Sequence, residues 1–215
     1  MHRTWLVGIL LGSLAWGCGQ QRDVAFVGHP IINGSPDTSE AHMGVGGVFF
    51  GGGACTDTLI APDVVLTAGH CVYGQRASSY TVTFGYDMND PDHSRGVQET
   101  WVHPGYSNYS IDNDIALLRL SSGAPADIAP IPHLPASLEV TQADVGTPLE
   151  FVGFGRTETG SSGVKLHATN TLNWVCTSSG GCSISGGWAN QNTICQDQNP
   201  SGICFGDSGG PALIE

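Results

Sequence analysis

From Val45 to Leu120 the apolar residues arrive in short runs broken by glycine and polar turn residues, and few architectures accommodate that pattern. The runs are Val45–Phe50, Thr58–Ile60, Val64–Leu66, Tyr80–Phe84, Val97–Val102 and Ile115–Leu120, several alternating or rich in β-branched residues. Short strands separated by turns build a sandwich or barrel, and no stretch carries a sustained helical period. The 215-residue chain holds 31 glycines and only 12% charged residues, the balance of a loop-rich β protein rather than a helical bundle. Its length allows one large domain or two small ones, with ample chain to bury a core. Ser121 to Pro135, rich in Pro, Ala and Ser, reads as a crossover between halves, and Lys165 to Val175 as a further, partly alternating strand.

The formal net charge of −12 argues against nucleic acid or an anionic membrane as the partner and reads as a solubility device. Met1-His2-Arg3 is a short basic start, and Thr4 to Trp16 is a mostly apolar run. That run is too short to span a bilayer but suits the core of an export signal. The chain is therefore expected to be secreted or held in the cell envelope, where cysteines pair. The run ends at Gly17-Cys18-Gly19, which looks like a bacterial lipobox with the small residue just before the cysteine. Cys18 is thus a candidate for lipidation and a membrane tether, against the alternative of ordinary signal cleavage. Residues 1–30 would comprise this leader and a short pro-segment.

Close to the other end stands Cys204-Phe205-Gly206-Asp207-Ser208-Gly209-Gly210-Pro211. A serine between an acid and paired glycines suits a hydroxyl nucleophile on a tight turn, where bare backbone N–H groups can crowd a reacting carbonyl. Such a serine needs a base, and the base needs an acid to orient it. The candidates are His70 in Leu66-Thr67-Ala68-Gly69-His70-Cys71 and Asp114 in Asp112-Asn113-Asp114-Ile115-Ala116-Leu117-Leu118. Singly, His70 would read as a core histidine and Asp114 as a turn residue with Asp112 as its rival. In the order His, Asp, Ser the three segments closely resemble the trypsin/chymotrypsin family of serine proteases, and the resemblance runs from Ile31 to Glu215.

That resemblance implies two perpendicular six-stranded β-barrels, the first over about 31–138 and the second, opened by Leu149–Gly155, over about 139–215. It implies a serine endopeptidase acting on proteins or peptides through an acyl-enzyme. Ser208 would be the nucleophile, His70 the base, Asp114 its orienting acid, and the N–H groups of Gly206 and Ser208 the oxyanion hole. Ile31-Ile32-Asn33-Gly34 resembles the family's mature amino terminus, whose freed α-amino group would pair with Asp207. Pro30 stands where the family usually has a basic residue, and Gly69 replaces its usual alanine. Cys55 and Cys71 match a family disulfide that fixes the histidine loop, and His103 in Val102-His103-Pro104-Gly105-Tyr106 would be structural. Six residues before Ser208, where trypsin-like relatives carry an acid, stand Gly202 and then Ile203, which implies preference for apolar or small side chains.

Cys195 would by resemblance pair with Cys182, and Cys204 with a cysteine beyond the nucleophile. The residues themselves leave the connectivity of Cys176, Cys182, Cys195 and Cys204 open. A zinc site among them is the alternative, disfavoured by the lack of a Cys-x-x-Cys pair. Asp87-Met88-Asn89-Asp90-Pro91-Asp92 falls where some relatives bind calcium, although an acidic loop is usually only solvated. No cofactor or metal is therefore expected, and the chain is expected to act as a monomer. Because it ends at Glu215, the second barrel should be incomplete and activity weak. An inactive fragment or pseudoprotease serving as a binding module is the competing reading. An esterase of another fold is disfavoured by the order of the three residues and the lack of alternating βα units.

Overall fold

After a two-residue β1 (Ser35–Pro36), the apolar runs of the first half become β2 (Val45–Phe50), β3 (Gly53–Ala61), β4 (Val64–Thr67), β5 (Thr81–Phe84), β6 (His93–Val102) and β7 (Ala116–Leu120). A one-turn helix, α1 (Gly69–Val72), and a 3-10 turn at Ala77–Ser79 separate β4 from β5. The computed structural model describes residues 34–157, 159–177, 181–184, 187–197 (backbone alone at 187 and 188), 201–203 and 205–214. The leader, Cys18, Ile31, Cys204 and Glu215 lie outside the described residues.

The six strands β2 to β7 close into an antiparallel barrel in the order β2-β3-β4-β7-β6-β5. Strand alternation sends one set of side chains inward. Val48 sits opposite Cys55 of β3 and Val82 of β5. These residues fill the interior with Leu59, Val65, Phe84, Leu118 and Leu120, all essentially removed from water. Irregular register between Leu59 and Ala61 and between Val97 and Glu99 bends the long strands around the closure. The expected crossover from Ser121 onward is stitched to this barrel, with the Ala124 and Ile131 N–H groups donating to the carbonyls of Pro62 and Leu59 at 2.8 Å each.

The second half is β8 (Pro148–Gly153), β9 (Leu166–Thr171), β10 (Trp174–Cys176), β11 (Cys182–Ile184), β12 (Gly187–Ala189), β13 (Thr193–Cys195) and β14 (Ala212–Leu213). A four-stranded sheet runs β1-β9-β8-β14, while β10 pairs with β13 and β11 with β12. Among the described residues this half is an open sheet with two short hairpin-like pairs, not a closed barrel. The stretch expected as one strand over Lys165–Val175 breaks after Thr171, because Leu172 and Asn173 turn their N–H groups to Thr147 and Cys195 and so change partners. Val45, Met88, Val152 and Phe154 form the apolar seam where the two halves meet.

One expected pairing is corrected. Cys182 is bonded to Cys176, not to Cys195. The two lie only six residues apart, at the end of β10 and the start of β11, while the partner of Cys195 across the β10–β13 ladder is Trp174.

A buried charge crosses from one half to the other. Lys165 has no solvent exposure, and its Nζ donates to the carbonyl oxygen of His42 at 2.9 Å. The ammonium lies 5.6 Å from the Tyr86 ring centroid and 5.5 Å from that of Phe154, within cation–π range. Asp57, on β3, is equally buried, and neither of its carboxylate oxygens accepts a hydrogen bond among the described residues. Burial pushes Asp57 well above the usual carboxylate range, and the Lys165 charge pulls it back. Burial pulls Lys165 down to about 8, against Asp37, Asp57 and Asp92. The folded-state value lies below the free lysine's 10.5. The cost of burying the charge is therefore full below about 8 and fades as the pH rises through that window. Lys165→Met removes the charged donor to the His42 carbonyl and is expected to lower stability in urea unfolding by about 1.5–3 kcal/mol, the worth of a hydrogen bond from a charged group. A loss no larger than that of an exposed lysine would show that the ammonium is not committed to the interior.

Candidate active site

α1 begins at Gly69 and carries His70 one residue later, directly after β4. Cys71 ties this turn to β3 through the Cys55–Cys71 disulfide, with an S–S distance of 2.01 Å. The expected cross-link is therefore present. Its sulfurs lie close to an imidazole nitrogen of His70, but bonded to each other they offer no thiolate to a metal. Opposite stands Asp114, two residues before β7. The loop that delivers it is held in uncommon backbone conformations, with φ of +57° at Ile111 and +53° at Asn113. A β-branched residue rarely adopts such a value, and surrounding bonds hold the loop there. Asn113 Nδ2 donates to the Gly105 carbonyl at 2.9 Å, and the Ile115 N–H donates to the Asn113 carbonyl at 2.8 Å.

The result is a two-point grip on the histidine. The His70 backbone N–H donates to Asp114 Oδ1 at 2.7 Å, and His70 Nδ1 meets Asp114 Oδ2 at 2.7 Å. An ionised carboxylate only accepts, so the ring proton belongs on Nδ1 and Nε2 is left with its lone pair. The rival Asp112 is turned away, accepting from Ser110 Oγ within its own loop. His103 Nδ1 accepts from the Gly105 N–H at 3.0 Å, within its own loop.

The Ser208 turn, from the far end of the chain, packs on β3 and on Thr67 and Ala68, and among the described residues no hydrogen bond joins Ser208 to His70. The Gly210 N–H donates to the Asp207 carbonyl at 2.8 Å, which closes a tight turn over Asp207–Gly210. Ser208 presents its carbonyl to the Thr56 N–H of β3 at 2.9 Å. Gly209, at φ +85°, lies so close that a Cβ there would stand 2.1 Å from Thr67 Oγ1 and 2.7 Å from the Ala68 nitrogen. Only glycine permits that approach, and it packs the serine turn onto the residues leading into His70. Asp207 is buried, and its Oδ1 accepts from the Gly155 N–H at 2.8 Å. Its intended partner Ile31 lies outside the described residues.

Sequence reasoning missed Thr56. Its hydroxyl, fully buried, donates to the Gly206 carbonyl at 2.7 Å and accepts from the Phe154 N–H at 3.2 Å. One side chain of the first barrel thus holds two segments of the second half. No local signal marks it, since both partners lie about a hundred residues or more away along the chain. Gly202 is buried and Ile203 exposed, both on the segment that leads toward Gly206. In the acidic loop at Asp87–Asp92, Asp90 and Asp92 stay exposed. Met88 is buried in the seam, and Asp87 Oδ1 accepts from the Asn89 N–H at 2.8 Å.

A protein-family model described as Trypsin matches residues 31–215. The chain is 31% identical over 206 residues to Serine protease SP24D of Anopheles gambiae, a match covering 92% of this chain and 72% of that protein. It is 34% identical over 170 residues to Brachyurin of Leptuca pugilator, covering 73% and 69%. With Vitamin K-dependent protein C of Mus musculus the identity is 33% over 175 residues, covering 75% of this chain but only 37% of that longer protein.

Proposed function

The chain belongs to the trypsin family, and on that premise we propose that it is a serine endopeptidase with Ser208 as nucleophile, His70 as base and Asp114 as orienting acid. The observation that carries this reading is the grip of Asp114 on both the backbone and the ring of His70. It leaves Nε2 as the acceptor for a serine proton, and the close packing of Gly209 on Thr67 and Ala68, which lead into His70, supports a serine turn beside that ring. Ser208 Oγ adds to the peptide carbonyl as its proton passes to Nε2. The tetrahedral intermediate then expels the amine, which takes that proton, and leaves an acyl-enzyme. Water attacks the ester by the same route in reverse, restoring Ser208.

The oxyanion would be met by the N–H groups of Gly206 and Ser208. Among the described residues neither N–H donates to a protein acceptor, which suits a site kept open for developing charge. Thr56 holds the Gly206 carbonyl and so positions this loop. Thr56→Val keeps the shape and removes the hydroxyl, so kcat is expected to fall with KM little changed. The loss should stay below the 10²–10³ that losing an oxyanion donor itself costs, and Thr56→Ser should restore most of it. A variant with unaltered kcat would remove Thr56 from the account.

We infer further that cleavage before Ile31 frees an α-amino group for Asp207, that the substrate is protein or peptide outside the cell, and that the chain works as a monomer. The Cys55–Cys71 and Cys176–Cys182 bonds fit an oxidising compartment. Tethering through Cys18 is part of the same proposal. Selectivity should avoid Lys and Arg, since Gly202 offers no carboxylate to a cation stripped of water. An ester of a Phe or Leu acyl group should give a burst of leaving group near one equivalent per chain, as acyl-enzyme accumulates. The corresponding Arg ester should react far more slowly. Absence of any burst with every ester would favour a binding module, and preference for Arg would overturn the pocket assignment.

A further inference from the structure

Away from His70 and Ser208, a cleft of about 460 Å³ opens between the 36–42 segment and the β8–β9 pair, with Asp37, His42, Glu150 and His167 in its walls. The four come from three separate parts of the chain, and their hydrogen bonds fix each other. Asp37 is buried. Its Oδ1 accepts from the Ser39 N–H at 2.9 Å, and its Oδ2 meets His42 Nδ1 at 2.8 Å. The proton of a neutral His42 therefore sits on Nδ1, and Nε2 keeps its lone pair. On the other side His167 Nδ1 meets Glu150 Oε1 at 2.6 Å, which holds that carboxylate in place.

What remains is His42 Nε2 facing Glu150 Oε2 across 3.7 Å. That is too long for a hydrogen bond, and with the ring neutral both facing atoms are electron-pair donors. A zinc ion takes imidazole nitrogen and carboxylate oxygen at about 2.0–2.2 Å, so two tetrahedral ligands stand about 3.4 Å apart. The observed gap needs only a slight contraction. The surroundings match as well: a metal-bound histidine characteristically gives its other ring N–H to a carboxylate, and a ligating carboxylate is itself hydrogen-bonded. Here Asp37 serves the first role and His167 the second.

We propose that this cleft binds a divalent transition-metal ion, zinc by the chemistry of its donors, through His42 Nε2 and Glu150 Oε2. Asp37 and His167 orient the two ligands, and water completes the shell. A nitrogen donor in the pair selects against calcium and magnesium, which take oxygen alone. The ion would clamp the 36–42 segment onto β8, the strand whose neighbours are β9 and β14. No catalytic residue takes part, so the proposal stands or falls separately from the peptidase reading.

The test is calorimetric titration of chelator-treated full chain with zinc chloride, alongside its melting temperature. One zinc per chain is expected, with a melting temperature that rises as zinc saturates the folded form, and no competition from calcium. Asp37→Asn should weaken binding about 10- to 100-fold, as outer-shell substitutions do, and His42→Gln and Glu150→Gln should weaken it more. No binding, or binding undiminished in both His42→Gln and Glu150→Gln, would overturn the proposal and leave the cluster as ion pairs alone. Should those variants fail to fold, anomalous diffraction at the zinc edge from the wild-type chain decides. A peak between His42 and Glu150 supports the site, and a peak only elsewhere refutes it.

Discussion

Ser208→Ala is expected to reduce kcat by about a millionfold while the fold and the melting temperature stay as they were. The size follows from what the hydroxyl does. On the proposed mechanism no acyl-enzyme forms without Oγ, and His70 alone would not compensate, because its proposed role is to receive a proton that is no longer present. What survives is substrate binding and the oxyanion donors, which in proteases of this kind leave about 10³–10⁴ over the reaction in water. The fold should tolerate the change, since the contacts that seat the turn are made by backbone. The Ser208 carbonyl accepts from Thr56, Gly210 N–H donates to Asp207, and Gly209 packs against Thr67 and Ala68. Circular dichroism and thermal melting alongside the kinetics separate loss of chemistry from loss of structure. Residual activity within tenfold of wild type would mean that another group is the nucleophile.

Asp114→Asn should cost about ten-thousandfold in kcat, the loss that accompanies the wrong histidine tautomer in enzymes of this family. The geometry here explains why. Two donors of His70, the backbone N–H and Nδ1–H, each take one oxygen of Asp114 at 2.7 Å. An asparagine has a single oxygen. If it keeps the backbone N–H, its NH₂ group faces Nδ1, which must then accept rather than donate. The ring proton moves to Nε2, the atom that should receive the proton of Ser208. Asp112→Asn, whose carboxylate faces Ser110 instead, should leave kcat within a few fold. Equal losses in the two variants would mean that the loop as a whole, and not the Asp114 carboxylate, supports catalysis.

The sequence was most legible where a residue's neighbours along the chain determine its fate. The runs at Val45–Phe50, Val64–Leu66 and Ile115–Leu120 become β2, β4 and β7 with bounds shifted by a residue at most. β3 was read short. It starts at Gly53, because Thr56 and Asp57 are polar yet buried, Thr56 bonding Gly206 and Phe154 and Asp57 feeling the Lys165 charge, all far along the chain. Lys165 itself read as one end of an ordinary strand, and nothing local foretells an ammonium without solvent. In the second half β10 to β13 are three residues each, too short for alternation to show, and the bond between Cys176 and Cys182 was not resolvable from spacing. Asp114 could be chosen over Asp112 only through the resemblance of its surroundings to a known family. The Asp37, His42, Glu150 and His167 cluster had no sequence signal, since the pairing of Ser35 with His167 between β1 and β9 is what brings its parts together.

The central claim is that Ser208 is a nucleophile activated by His70, and the most direct measurement is covalent labelling followed by peptide mapping. A fluorophosphonate probe reacts with a serine only when a neighbouring base takes its proton, because an unassisted hydroxyl is a poor nucleophile. Applied to the chain cleaved before Ile31, it should mark one residue, found on the peptide that carries Gly206-Asp207-Ser208-Gly209. Ser208→Ala and His70→Ala, each with an unchanged melting profile, should take no label. Label on a different serine, or equal labelling of wild type and Ser208→Ala, would contradict the account.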